Sequence, residues 1–96
     1  MMTQLELARR ARERARTQRI RVFRVAGTER DEYVSRSRGA EPGAYWRLWV
    51  EDEIVHCSCP GYTYRQSCKH AAALELRRER ARLRGAREVA ARRRAA

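Results

Sequence analysis

Three cysteines and one histidine form the pattern that most restricts what this chain can fold into. Cys57 and Cys59 are separated by one residue, and Cys68 and His70 repeat that spacing after a gap of eight residues. All three cysteines of the chain lie in this constellation. Three thiolates and one imidazole are the ligand set of a closed tetrahedral zinc site. The sequence therefore predicts one structural Zn²⁺ ion held by these four side chains.

Other roles for the cysteines fit the pattern less well. The cysteine count is odd, and Cys57 and Cys59 are too close in an extended chain to form a disulfide easily. A redox motif of the Cys-x-x-Cys type is absent from the sequence. Ordinary buried cysteines would rarely show this paired spacing beside a histidine. A structural metal is the interpretation that remains.

Length and hydropathy limit the class of protein. A chain of 96 residues forms one small domain with a limited core, and such domains often need a metal for stability. The sequence has no apolar run long enough to cross a membrane and no signal-peptide pattern at its start. Thiolate ligands suit a reducing compartment. We therefore expect a cytoplasmic protein without a membrane partner.

The positive charge is concentrated at the two ends of the chain. The net charge of +11 divides into +6 for residues 1–26, −2 for 27–67 and +7 for 68–96. Arginine supplies 22 of the 23 basic residues, which in an alanine-rich chain can reflect a GC-rich genome and not phosphate recognition. That bias does not explain the excess of bases over acids. The excess indicates an acidic partner or a role in solubility.

Helices are predicted at both basic ends. The first covers residues 3–17, because Thr3 and Glu6 form a capping box and Leu7, Ala11 and Ala15 recur at helical spacing. The second begins near Cys68 and is apolar nearly all round at first. Beyond Arg77 only a narrow apolar stripe continues along one face of the helix. Over the whole helix the stripe consists of Ala72, Leu76, Leu83, Ala86 and Ala90. Gly85 is expected to end or bend this helix, and residues 92–94 are expected to fray.

Between the helices the pattern predicts an antiparallel sheet of about four strands. They cover 20–25, a short segment from Tyr33, 44–50 and 54–57, with one turn marked by Gly39 and Pro42-Gly43 and another at Glu51-Asp52. In the third strand Trp46, Leu48 and Val50 alternate with polar or aromatic neighbours and share one face. The predicted fold class is α+β.

The predicted elements bring the four metal ligands together. Cys57 and Cys59 share one face of an extended strand end, with Ser58 turned away and Pro60-Gly61 breaking the strand. In a regular helix, residues two positions apart point in directions that differ by about 200° around the helix axis. Cys68 must therefore precede the helix or open it, with His70 in its first turn. The positive end of the helix would stabilise the Cys68 thiolate.

The segment from Trp46 to Leu76 resembles a SWIM-type zinc finger. The resemblance covers Trp49-Val50, Ile54-Val55, Cys57-Ser58-Cys59-Pro60, Tyr62, Cys68-Lys69-His70 and Ala73-Leu74. It implies that Cys57, Cys59, Cys68 and His70 bind one zinc and that a ββα core surrounds it. Members of this family are thought to bind DNA or to act in protein–protein contacts, usually as small parts of larger proteins. The chain divides accordingly into a basic helix (1–18), a SWIM-like domain (19–76) and a basic helical extension (77–96).

The first functional hypothesis is binding of DNA or RNA. Arginine pairs with phosphate and with guanine edges, and the candidate contacts are Arg9, Arg10, Arg12, Arg65, Arg77, Arg78, Arg82 and Arg84. Tyr62 and Tyr64 lie beside Arg65 as possible stacking groups, although Tyr62 would also suit packing beside the zinc. Alternatively, the arginine-rich segments are simply solvated helix faces.

The second hypothesis is a protein-interaction adaptor within a larger assembly. The stripe of Leu76, Leu83, Ala86 and Ala90 could lie in a partner's groove, or it could pack on the first helix of the same chain. Catalysis is not expected, because four protein ligands leave the zinc no open position. No small-molecule substrate is expected either. His56, the second histidine, points away from Cys57 by strand alternation and is expected to be a surface residue.

Overall fold

The fold combines one small sheet with three helices. The computed structural model describes residues 2–36 and 43–95, so Gly39 and Pro42 of the predicted turn lie outside the described residues, whereas Gly43 adopts a left-handed φ of 88°. The elements in chain order are α1 (Gln4–Thr17), β1 (Phe23–Arg24), β2 (Glu32–Arg36), β3 (Tyr45–Glu51), β4 (Ile54–Cys57), α2 (Pro60–Arg65) and α3 (Lys69–Ala95). The strands pair antiparallel in the order β1-β2-β3-β4. The predicted α+β class with a four-stranded antiparallel sheet is confirmed.

Helix α1 begins and ends through local hydrogen bonds. The hydroxyl of Thr3 accepts a hydrogen bond from the backbone N–H of Glu6 at 3.2 Å, as the capping box predicts. At the other end, Arg19 adopts a left-handed φ of 51°, which lets the N–H of Ile20 reach the carbonyl of Ala15 at 3.0 Å. Ala11 and Ala15 are the buried residues of α1. The helix therefore approaches the core closely through its small side chains.

Strand β1 is shorter than the sequence predicts. Residues 20–25 were expected to pair, but the ladder includes only Phe23 and Arg24. Side chains bind the preceding carbonyls instead. The hydroxyl of Ser35 donates to the carbonyl of Arg21 at 2.8 Å, and the guanidinium of Arg77 donates to the carbonyl of Val22 at 2.8 Å. The β-branched pattern therefore marks an edge segment that buries Val22 but is not fully paired.

Strand β3 shows the predicted alternation of its faces. Leu48 is 1% exposed, and Trp46 and Val50 are half-buried on the same side. Leu48 lies opposite Tyr33 of β2 and Cys57 of β4, so these positions share one face of the sheet. The turn from β3 to β4 passes through two residues in left-handed conformations, Asp52 and Glu53, as two-residue hairpins require.

The core lies between this face of the sheet and the helices α1 and α3. Its members are small or aliphatic side chains together with one tyrosine and two cysteines: Ala11, Ala15, Val22, Tyr33, Leu48, Val55, Cys57, Cys59, Ala71, Ala72, Ala73 and Leu74. Alanines on both helices let their backbones pack closely. The core is therefore continuous with the cysteine cluster, and in the described part of the chain α1 and α3 pack on this face of the sheet and not on the opposite one.

The segment after β4 differs from the prediction. Pro60-Gly61 was expected only to break the strand, but Pro60 is the first residue of the helix α2, a position that proline favours. Helix α3 begins at Lys69, as predicted, and passes through Gly85 without ending. Residues 92–94, expected to fray, are helical as well. In the described part of the chain, no helix is long and apolar enough to span a membrane.

Candidate metal centre

The four predicted ligands meet at one point of the fold. The Sγ atoms of Cys57, Cys59 and Cys68 and a ring nitrogen of His70 all lie within 4.8 Å of one another. Cys57, Cys59 and His70 are buried, and Cys68 is half-buried. The three cysteines are free thiols. This arrangement is compact enough for a single ion to touch all four atoms.

The end of β4 positions the first cysteine pair. Ser58 continues the pairing with β3 for one more residue, since its N–H donates to the carbonyl of Arg47 at 2.9 Å. The hydroxyl of Ser58 in turn accepts from the N–H of Arg47 at 2.9 Å. This exposed serine therefore keeps the backbone extended, so that Cys57 and Cys59 turn together into the core, as the alternation predicts.

Two helix starts supply backbone donors to the sulfur atoms. Cys59 is the N-cap of α2, and its Sγ accepts from the N–H of Tyr62 at 3.5 Å. Cys68 directly precedes α3, and its Sγ accepts from the N–H of Ala71 at 3.3 Å. Hydrogen bonds from helix N-termini stabilise negative charge on sulfur. Each of these backbone hydrogen bonds acts to lower the pKa of the thiol that accepts it.

The pKa values of the three thiols are shifted in opposite directions by their mutual contacts and their burial. A hydrogen bond from Cys57 is the main cause that lowers the pKa of the Cys68 thiol well below its usual range. The same hydrogen bond, together with burial, raises the pKa of Cys57. Burial is also the main cause that raises the pKa of Cys59. Three thiols clustered this closely cannot all ionise unaided, whereas a divalent cation deprotonates each thiol that it binds.

His70 provides an independent test of whether a metal fits. Its Nδ1 atom is buried and has no hydrogen-bond partner among the described residues. A buried polar atom without a partner costs about 1–3 kcal/mol, and native structures contain few of them. A bound ion at this cluster would give the imidazole ring a partner. The residues present therefore fit a Cys₃His zinc site.

Aromatic residues surround the cluster. The ring of Trp46 lies 6.4 Å from that of His70, centroid to centroid, and is tilted by 47°. The hydroxyl of Tyr62 donates to the carbonyl of Val55 at 2.9 Å, so Tyr62 packs beside the site and is not an exposed ring. Tyr64 is 86% exposed. Of the two tyrosines named with Arg65, only Tyr64 is available to a partner.

His56 lies outside the metal cluster. Its ring stacks on that of Trp49 with centroids 5.4 Å apart and an interplanar angle of 11°. The edge of Tyr62 approaches the same ring at 6.0 Å. The position agrees with strand alternation, although His56 is half-buried and not a fully exposed surface residue. The two histidines of the chain therefore have separate surroundings.

The arginines proposed for nucleic-acid contacts fall into two groups. Arg12 lies 4.0 Å from Glu75 and 3.8 Å from Glu79, and Arg78 lies 2.7 Å from Asp31. Arg77 donates to the Val22 carbonyl and lies 5.6 Å above the Tyr33 ring. These three side chains therefore have partners within the fold. The other members of the proposed set, Arg9, Arg10, Arg65, Arg82 and Arg84, are exposed, and Arg77 is exposed as well despite its contacts.

A cleft beside the zinc cluster contains basic residues that the sequence alone did not connect. Arg14 of α1, Arg65 of α2 and Lys69 of α3 line this cleft, whose volume is about 350 Å³. Arg10 lines an adjoining cavity together with Arg14 and Arg65. We call Arg10, Arg14, Arg65 and Lys69 the basic cleft. Arg10 and Arg14 are one helical turn apart in the sequence, but the sequence did not show that α1 packs beside the zinc cluster.

Comparison with known protein families agrees with this site. The family model of the SWIM zinc finger matches residues 45–79. The matched segment begins with β3, contains all four clustered residues and ends within α3. Comparisons with curated proteins and with solved structures gave no match. The match and the Cys₃His cluster together identify a SWIM-type zinc finger in this part of the chain, with zinc as its metal.

Proposed function

We propose that the chain is a zinc-stabilised module that binds DNA or RNA as an accessory part of a larger assembly. Cys57, Cys59, Cys68 and His70 hold the ion, and arginines of the flanking helices contact phosphates. Catalysis is not part of the proposal, because four protein ligands leave no site for a substrate on the metal. Free thiols that bind metal suit the cytoplasm. The division at residues 18 and 76 into helix, finger and extension belongs to the same proposal.

The observation that carries the proposal is the basic cleft. Three helices each contribute a cation to it, with α1 far from the other two in sequence, and none of the described residues that line it is a carboxylate. Lys69 donates to the neutral side chain of Gln18 at 2.7 Å, so its charge is not neutralised there. Zn²⁺ with three thiolates carries a charge of only −1. A phosphate group would therefore meet net positive charge in the cleft.

The distal part of α3 adds a second basic surface. Residues 80–95 contain seven arginines and one glutamate, and every one of these residues is exposed. Arg82 and Arg84 of the predicted set lie here. A helix with charge of one sign in most directions gains little from packing against its own domain. Contacts to a phosphate backbone are the role that suits it.

The salt dependence of binding tests the proposal. Four phosphate contacts from the basic cleft give a slope of about −3.6 in log K against log salt, or about 150-fold weaker binding between 50 and 200 mM salt. Exchange of Arg14 and Arg65 for glutamine should reduce the slope by about 2. Arg12→Gln is the matched control, since Arg12 pairs with Glu75 and Glu79. Binding that does not respond to salt would refute the proposal.

A protein-interaction adaptor is the second candidate, and the apolar stripe on α3 favours it. Leu76 packs against the core, but Leu83 is 52% exposed and Ala86 and Ala90 are exposed as well. The distal stripe is thus not covered by α1. Pull-downs from lysate with and without nuclease treatment distinguish the two candidates. Partners that survive nuclease treatment and are lost with Leu83→Glu would support the adaptor.

A further inference from the structure

We propose that the outer face of the sheet holds an unpaired nucleobase, so that the module prefers single-stranded nucleic acid to a duplex. The site is an open cleft formed by β1, β2 and β3, and its lining includes Arg19, Arg21, Phe23, Val34, Arg36 and Tyr45. We call it the aromatic cleft. The inference rests on the proposed nucleic-acid binding and adds the state of the strand that is bound.

The position of the aromatic cleft follows from the strand register. Phe23 pairs with Val34, and Arg36 pairs with Tyr45. By alternation these positions lie on the face opposite Leu48, the centre of the core. The helices α1 and α3 pack on the Leu48 face. The aromatic cleft is therefore on the open side of the sheet.

The two aromatic rings of the cleft remain available to a ligand. Phe23 is 51% exposed and Tyr45 is 50% exposed. A single exposed ring is common in proteins and carries no meaning by itself. Here two rings line one concavity with three arginines, and no carboxylate occurs among its described lining residues. Rings that accept a planar group, beside cations that accept phosphate, match the chemistry of a nucleotide.

The edge of the cleft is held in place before any ligand binds. The Ser35 hydroxyl donates to the Arg21 carbonyl, and the Arg77 guanidinium donates to the Val22 carbonyl, each at 2.8 Å. Ser35 is 1% exposed, so the first of these hydrogen bonds is sheltered from water. Fixing residues 21–23 in this way lowers the conformational entropy that a ligand would have to remove.

The geometry favours an unpaired base over a base pair. Base faces are stacked inside a duplex and cannot reach side chains on a protein sheet, whereas single strands can present their bases to aromatic rings. An apolar peptide would cover the rings but would leave Arg19, Arg21 and Arg36 without anionic partners. A single strand satisfies both the rings and the cations. RNA and single-stranded DNA share this chemistry.

The test compares three labelled probes by fluorescence anisotropy: a 12-nucleotide oligo-U, the matching oligo-dT and a 12-base-pair DNA duplex. We expect the zinc-loaded chain to bind at least one single strand more tightly than the duplex. Phe23→Ala and Tyr45→Ala should each weaken single-strand binding by about fivefold or more. Duplex binding should change less than about twofold, and the salt slope should stay constant, because stacking releases no counterions.

Conservative variants and a second readout separate stacking from folding. Phe23→Tyr and Tyr45→Phe keep the rings and should keep the affinity, with circular dichroism and zinc content unchanged in all variants. In the wild-type chain, the oligonucleotide should shift the ring proton resonances of Phe23 and Tyr45. Equal loss of duplex and single-strand binding, or unshifted rings in the complex, would overturn the inference. Salt-independent binding of all three probes would instead refute the proposed function itself.

Discussion

Exchange of each of the two histidines for alanine tests the zinc site with a control built into the chain. His70 is 6% exposed, lies in the cluster of ligand atoms and has an Nδ1 without a hydrogen-bond partner among the residues that the structure describes. His56 stacks on Trp49 and lies outside the cluster. We expect His70→Ala to lose zinc affinity and His56→Ala to retain it.

The size of the effect follows from the coupling of metal binding to folding. Loss of a residue that only supports a ligand typically weakens metal binding 10–100-fold, so loss of the ligand itself should cost at least about 100-fold. That factor corresponds to about 2.7 kcal/mol. With zinc in fixed excess, the free energy of unfolding falls by the same amount. A small domain has about 5–15 kcal/mol in total, so the variant should lose a large share of its stability.

Competition with a chromophoric chelator gives the zinc affinity, and thermal melting followed by circular dichroism gives the stability. The wild-type chain should hold one zinc per molecule, and His56→Ala should match it within about threefold. A wild-type affinity in His70→Ala would show that this imidazole does not bind the ion. Equal losses in the two variants would attribute the effect to ring packing and not to the metal.

Three further predictions concern stability. Leu74→Ala should lower the free energy of unfolding by about 3 kcal/mol because Leu74 is 0% exposed, whereas Leu83→Ala, in the same helix but 52% exposed, should change it by less than about 0.5 kcal/mol in denaturant titrations. Removal of zinc with a chelator should abolish cooperative melting of residues 44–76, and readdition should restore it; an unchanged melting curve would contradict the structural role. The Tyr33 hydroxyl and the Arg78 guanidinium hold the pKa of Asp31 below its usual value, so its ionised form stabilises the fold above about pH 4 and this contribution disappears as pH falls through the lowered pKa. Asp31→Asn should therefore cost less than about 1 kcal/mol near pH 7, given the exposure of the pair, and nothing at pH 2; a constant difference at both pH values would refute this.

The cluster and the hairpin could be predicted because they depend on short-range rules. Residues two apart in an extended segment share a face, and residues two apart in a helix do not. These rules alone brought Cys57 and Cys59 to one side and required Cys68 to precede the helix or to open it. The capping box of Thr3 is equally local. Both features appear in the structure as expected.

The features that could not be predicted depend on contacts between distant residues. Arg78 pairs with Asp31 across 47 positions and Arg77 reaches the Val22 carbonyl across 55, and nothing in the local pattern marks these arginines as different from Arg82 or Arg84. The shortening of β1 also depends on distant residues, because Ser35 and Arg77 bind the carbonyls that precede the strand. The sequence does contain a local signal for helix α2, because Pro60 can open a helix as well as end a strand. Whether Pro60 opens a helix depends on Cys59, which acts as the N-cap of α2.

Helix α3 is long, and the metal centre lies at its N-terminal end. Its 27 residues span about 40 Å, with Cys68 and His70 at one end and the arginine-rich segment at the other. A rotation of about 10° at the metal centre would displace the far tip by about 7 Å over such a length, more than the width of a phosphate group. The coordination geometry of one ion, together with the packing of α1 on α3, therefore sets the position of the charges at the far end of the helix.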